Sequence, residues 1–231
     1  MTELINDIKA YLSTPYLVSI PKKADRPWLL LFRLAAICLC AGIGAGMLSG
    51  ILVQSGLIPG PGPSLIDQQK MSQTAFFFGA VIFAPLIEET IFRAQLRRFS
   101  GGILFVSFVF GIILVALTKT YWAFLVTPFI FTVLFIIYRF TLAGSITRKY
   151  NFWTKVFPWY FHFTAIAFAL VHLGNFEKGI NLLPLGIIYT LPQLAIGLVL
   201  GYARMNYGLK YSIALHALYN LSLTALLLFR S

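Results

Sequence analysis

The stretch that decides the fold is Ala84–Arg98, which reads APLIEETIFRAQLRR. Two adjacent carboxylates, Glu88 and Glu89, and then Arg93 stand at the end of a run, Thr74 to Ile87, that holds no charged residue. An ionised group at bilayer depth is strongly unfavourable unless it is paired or faces water, so carboxylates inside an apolar span are functional candidates by default. The chain has only 7 acidic residues. On a helix Glu89 and Arg93 are i and i+4 and share a face, while Glu88 points about 100° away. The arginine can therefore neutralise one carboxylate and leave the other for chemistry.

Outward from this stretch, hydrophobic residues make up 59% of the 231, charged residues 11%, and the mean hydropathy is +0.84. That balance excludes an ordinary soluble domain. A helix crosses the hydrocarbon with about 20 apolar residues, so the chain reads as an all-α, polytopic transmembrane bundle of about seven or eight helices. A net charge of +11 would suggest nucleic acid in a soluble chain; here it reads as loop charge, and no nucleic-acid partner is expected. Cys38 and Cys40 stand two positions apart in the first apolar run and point to different helix faces. They read as packing residues, neither disulfide partners nor metal ligands.

Residues 1–27 form an N-terminal segment and 28–231 the transmembrane domain. In the first, Leu4, Ile5, Ile8, Tyr11 and Leu12 recur at helical spacing with Glu3, Asp7 and Lys9 between them, the pattern of a short amphipathic helix lying at the membrane interface. No secretory signal pattern opens the chain. Apolar runs predict spans over 28–53, 74–98, 101–118, 121–142, 157–173, 184–203 and 211–229, with breaks at Pro59–Pro63, Lys119-Thr120 and Arg148–Lys155. Lys9, Lys22, Lys23, Arg26, Arg93, Arg97, Arg98, Arg139, Arg148, Lys149, Lys155, Arg204 and Lys210 fall to one side of these spans. Lys70, Lys119, Lys178 and Arg230 fall to the other. The positive-inside rule then sets the N-terminus in the cytoplasm. Brevity and the lack of targeting signals point to the inner (cell) membrane of a prokaryote. Tyr121, Trp122, Trp153, Trp159 and Tyr202 are expected in interfacial aromatic belts.

Polar residues interrupt the later spans at His172, which closes Phe168-Ala-Leu-Val-His172, and at His216 and Asn220, which share one helix face as i and i+4. Gly174-Asn175 marks a helix end just beyond His172. His162 reads as a hydrogen-bonded packing residue. Burying Glu88, Glu89, Arg93, His172, His216 and Asn220 separately would cost about 1–3 kcal/mol each, whereas gathering them lets each satisfy another. One polar cluster at the bundle centre is the favoured arrangement.

Glu88-Glu89-x-x-x-Arg93, Phe168-x-x-x-His172 and His216-x-x-x-Asn220, in this order and in separate apolar segments, resemble the CPBP family: the CAAX prenyl proteases and the bacteriocin-processing or bacteriocin-immunity proteins, also called the Abi family. The resemblance runs from about Phe76 to Leu228. One departure is that Ser100–Trp159 inserts an extra helical hairpin between the first two motifs. The resemblance implies an intramembrane endopeptidase that hydrolyses a peptide bond of a membrane-associated peptide or protein. Glu88 would be the general base for a water that His172 also holds, because a carboxylate in a low-dielectric site is a stronger base. His216 and Asn220 would donate to the oxyanion, and Glu89 and Arg93 would form a supporting ion pair. No cofactor is favoured. Zinc held by Glu88, His172 and His216 is the alternative, disfavoured because the sequence lacks a His-Glu-x-x-His helix. The competing class is a non-enzymatic membrane protein such as an immunity factor or scaffold.

Overall fold

The computed structural model describes residues 1–64 and 72–228. Among them every regular element is helical, apart from one isolated bridge between Ser64 and Phe176. Helix α1 spans Thr2–Ser13 and α2 spans Pro27–Gln54. Helix α3, Gln73–Arg97, contains a π-helical segment at Gly79–Phe83 and ends in a 3₁₀ turn at Ala94–Arg97. There follow α4 (Phe99–Thr118), α5 (Tyr121–Thr141) and α6 (Ile146–Val171), then a 3₁₀ turn at His172–Asn175. The last three are α7 (Asn181–Tyr189), α8 (Leu191–Asn206) and α9 (Leu209–Leu228).

Helix α8 is the centre of the bundle and packs against α1, α2, α3, α6 and α9. Small residues make that possible. A side chain at Gly201 would meet the Phe161 ring at 2.7 Å, and one at Gly197 would meet Phe168 at 3.0 Å. Gly197 and Gly201 are i and i+4 on one face, the spacing that lets two membrane helices approach closely. Helices α4 and α5 form the hairpin expected between the first two motifs, turning at Lys119, whose backbone is left-handed with φ 56°. The hairpin leans outward, with Phe129 68% and Phe140 84% exposed on α5. Such apolar surface needs lipid around it.

The described residues account for part of the seven or eight spans that composition suggests. Among the described residues, four helices are long and apolar enough to cross a membrane, and the pair α7–α8, bent by 61°, makes a fifth. Helix α4 is 20 residues long and apolar along its length, and Pro192 at the start of α8 lacks the N–H that would carry a straight helix through the bend. Several apolar helices nonetheless make this an integral membrane protein.

Three local expectations need correction. Arg148–Lys155 is no break: the Ser145 side chain accepts from the Arg148 N–H and starts α6 eleven residues earlier than the apolar run implies. Trp153 and Tyr202 are not belt residues but core, 8% and 1% exposed. Trp153 lies 4.9 Å from the Tyr160 ring, and Tyr202 lies 5.6 Å from Tyr11. By contrast Tyr121, Trp122 and Trp159 are exposed as belts require. Finally, the apolar stripe of α1 meets protein: Ile8 and Tyr11 are buried, with the Tyr11 ring against Phe161 and Tyr202.

The cations divide between two ends as the spacing implies. At one end Arg97, Arg98 and Lys149 line one cavity, and the Lys22 backbone N–H bonds to the Asn206 carbonyl. At the other, Lys119 donates to Asn181 and Lys178 donates to the Gly60 carbonyl. Lys70 and Arg230 lie outside the described residues. Cys38 is buried and Cys40 exposed, on different faces of α2, and both are free thiols.

Candidate active site

Helix α3 carries the two carboxylates, and its backbone is irregular just before them. In the π segment the Ala84 N–H reaches back five residues to the Gly79 carbonyl. Continuing that register, the Ala80 carbonyl would take its bond from residue 85. Pro85 has no N–H to give. The orphaned carbonyl is satisfied from α9 instead, by Asn220 Nδ2 at 2.8 Å. A side chain recognised by its pairing with His216 thus also fixes the register of the helix that bears Glu88.

Beyond Pro85 the helix is regular to Phe92, which turns Glu89 inward and leaves Glu88 at the edge. Glu89 is fully buried and Arg93 is 1% exposed. Arg93 Nη1 lies 3.2 Å from Glu89 Oε1 as a charge contact. The guanidinium carbon sits 3.8 Å from the centre of the Phe168 ring, and Nη2 donates to the Gly197 carbonyl at 3.4 Å. Two groups of α9 complete the shell of Glu89: His216 Nδ1 at 3.0 Å from Oε1, and the Ser212 hydroxyl, which donates to Oε2. A buried carboxylate needs this many partners to stay ionised.

Glu88, about 100° round the helix from Glu89, faces two imidazoles. Its Oε2 stands 4.0 Å from His172 Nε2 and 3.8 Å from His216 Nε2. These separations are too long for direct hydrogen bonds but within the span of one bridging water. Oε2 is shielded from solvent and has no hydrogen-bond partner among the described residues. Both rings are oriented from behind. His172 Nδ1 lies 2.8 Å from the Phe168 carbonyl and His216 Nδ1 lies against Glu89. Both partners are acceptors, so each Nδ1 carries a proton and each Nε2 turns toward Glu88. His172 can occupy this place because α6 ends at Val171 and the chain turns through His172–Asn175, the helix end that Gly174-Asn175 implies.

Of the six side chains singled out from sequence, Glu88, His172 and His216 converge directly. Glu89 and Arg93 stand behind His216, and Asn220 contacts α3 two turns earlier, at Ala80. Sequence reasoning missed Ser212, although it lies one turn before His216 on the same face of α9. It also missed Gly197, whose carbonyl and missing side chain admit the guanidinium. Arg204 escaped it too: its Nε and Nη2 donate to the Arg93 and Ala94 carbonyls at 2.9 and 3.2 Å, closing the end of α3. A bulk count of loop arginines carries no signal for such a role. The set named for zinc, Glu88, His172 and His216, is this same cluster, with Oε2 4.0 and 3.8 Å from the two Nε2 atoms.

A family model described as type II CAAX prenyl endopeptidase Rce1-like matches residues 136–222. The match covers less than half of the chain and is consistent with a likeness to the CPBP and CAAX protease family. It takes in His172, His216 and Asn220 and begins downstream of Glu88, Glu89 and of most of the α4–α5 hairpin. Neither the curated proteins nor the solved structures yield a match.

Proposed function

We propose, from the premise that this chain is a CAAX-type membrane protease, that it is an intramembrane endopeptidase using a carboxylate-activated water and no metal. The observation that carries this reading is the Glu88 Oε2 atom, buried, unpartnered and within 4.0 Å of two imidazole Nε2 atoms. A water set between them donates one hydrogen to Glu88 and the other to the bare His172 Nε2, which leaves an oxygen lone pair for the scissile carbonyl. Glu88 takes the first proton as the tetrahedral intermediate forms and returns it to the leaving amine. Hydrolysis then yields one carboxyl and one amine terminus.

His216 supplies the charge for the oxyanion. Its Nδ1–H is committed to Glu89, so Nε2 can donate only from the imidazolium. The buried Glu89 carboxylate backs that form as a carboxylate backs a catalytic imidazole in hydrolases. Asn220 uses one amide hydrogen on Ala80 and has a second to offer the same oxyanion. Arg93 and Ser212 hold Glu89 in place and touch no reacting atom. The substrate is a membrane-associated peptide or protein, a small peptide or leader sequence in a prokaryotic inner membrane.

The test compares membrane peptides from cells carrying wild-type protein with those from cells carrying Glu88→Gln. The variant keeps shape and hydrogen-bonding capacity but cannot take a proton. Loss of the base should remove at least about 3 kcal/mol of barrier lowering, more than a hundredfold in rate. Peptides that persist uncut only in the variant support the reading; cleavage by purified Glu88→Gln at near wild-type rate overturns it. Elemental analysis of the active preparation tests the metal, and stoichiometric zinc would replace the carboxylate-activated water with a metal-bound one.

A further inference from the structure

The basic end of the bundle holds two cavities that differ in charge. One is ringed by Glu3, Asp7 and Asp25 as well as by cations, and Lys22 is paired with Asp7 at 3.1 Å. The other, of about 570 Å³, is lined by Arg97, Arg98 and Lys149 and by no carboxylate. At its wall Trp153 Nε1 is buried without a hydrogen-bond partner, on a residue only 8% exposed. An indole N–H can only donate. Buried donors generally find an acceptor, and a cavity lined by three cations and no carboxylate suits an anion.

Arg98 also belongs to a second, mostly apolar hollow of about 700 Å³ between α3 and the α4–α5 hairpin, which the catalytic cluster does not use. Arg98 and Arg204 are its charged lining; Leu104, Phe108 and Phe124 extend it along α4 and into α5. Phe108 lies about 14 Å of helix rise from the start of α4, a distance that suits the upper part of an acyl chain. Neither Arg98 nor Arg204 has a carboxylate within 4.0 Å among the described residues. A cationic pocket that shares Arg98 with a neighbouring apolar trough matches one amphiphile in charge and shape.

We propose that these two neighbouring hollows together bind an anionic phospholipid, its phosphate among Arg97, Arg98 and Lys149 beside Trp153, and an acyl chain in the trough between α3 and α4–α5. Basic pockets between membrane helices at the charged end of a bundle are suited to acidic headgroups. The inference is independent of the hydrolase reading, because none of these side chains takes part in the proposed chemistry. The lipid would pin the hairpin to the bundle at the point where α4 leaves α3.

The experiment uses full-length protein reconstituted in nanodiscs of phosphatidylcholine, with or without phosphatidylglycerol. Retained lipid is counted by native mass spectrometry after extraction, and thermal unfolding is followed in parallel. Wild-type protein should retain phosphatidylglycerol over phosphatidylcholine. Arg98→Gln and Lys149→Gln should each reduce that preference about fivefold, as removal of one surface cation does. Phe108→Ser should lower retention of both lipids without changing the preference. Equal retention of the two lipids, or unchanged preference in both charge variants, overturns the proposal. Protection by inorganic phosphate alone, with no lipid retained, would show a site for a soluble anion and overturn it as well. Should a variant fail to fold, the wild-type comparison of the two lipids still decides.

Discussion

Arg93→Met is the most direct test of the idea that one carboxylate is neutralised so that its neighbour can react. In the folded protein the guanidinium is 1% exposed, 3.2 Å from Glu89, 3.8 Å above Phe168 and 3.4 Å from the Gly197 carbonyl. Methionine keeps much of the volume but removes the charge. Glu89 is then left with His216 and Ser212 as its only partners among the described residues. Removing one member of a buried ion pair costs about 3–5 kcal/mol, because the remaining charge stays desolvated. Glu89→Gln should destabilise by a similar amount, since it strands Arg93. The double variant should cost less than the sum by about 2 kcal/mol, the size expected for a coupled contact. Thermal unfolding in detergent can be followed with a thiol-reactive dye, because Cys38 is fully buried; Cys40, which is exposed, is first replaced by serine. If both single variants unfold within about 0.5 kcal/mol of wild type, or if their effects are additive within that margin, the pair is not the neutralising element and the division of labour between Glu88 and Glu89 fails.

Asn220→Leu should destabilise by about 1–3 kcal/mol by stranding the Ala80 carbonyl. Pro85→Ala, which restores an N–H to the π segment, should recover part of that loss in the same unfolding assay; no recovery would mean that Asn220 serves only the oxyanion. Gly201→Ala places a methyl group 2.7 Å from the Phe161 ring and should cost about 1–3 kcal/mol by overpacking. Phe161→Leu in the same chain should relieve the strain, and a neutral Gly201→Ala would show that α6 and α8 are not in close contact.

What could be read from the sequence, and what could not, follows from the range of the interactions involved. The ion pair of Glu89 and Arg93 was legible because four residues make one helical turn and no third element is needed to bring the two together. The helix end at His172 was legible for a similar local reason, in Gly174-Asn175. The convergence of Glu88, His172 and His216 rested on a weaker but still physical argument, that polar groups in lipid gather. The roles of Trp153 and Tyr202 were not legible, since a belt aromatic and a core aromatic have the same composition; Tyr202 is buried in the bundle centre, where α1 brings Tyr11 to it from far along the chain. Asn220 shows the limit most clearly. Its pairing with His216 is a statement about α9 alone, whereas its bond to Ala80 depends on a π segment in α3 followed by a proline. Pro85 could be read from sequence as a residue without an N–H, but not the five-residue register that makes its missing donor fall on Ala80. A backbone defect and its distant remedy are therefore a single feature written in two places, and the side chain that repairs the helix stands one turn beyond His216 on α9.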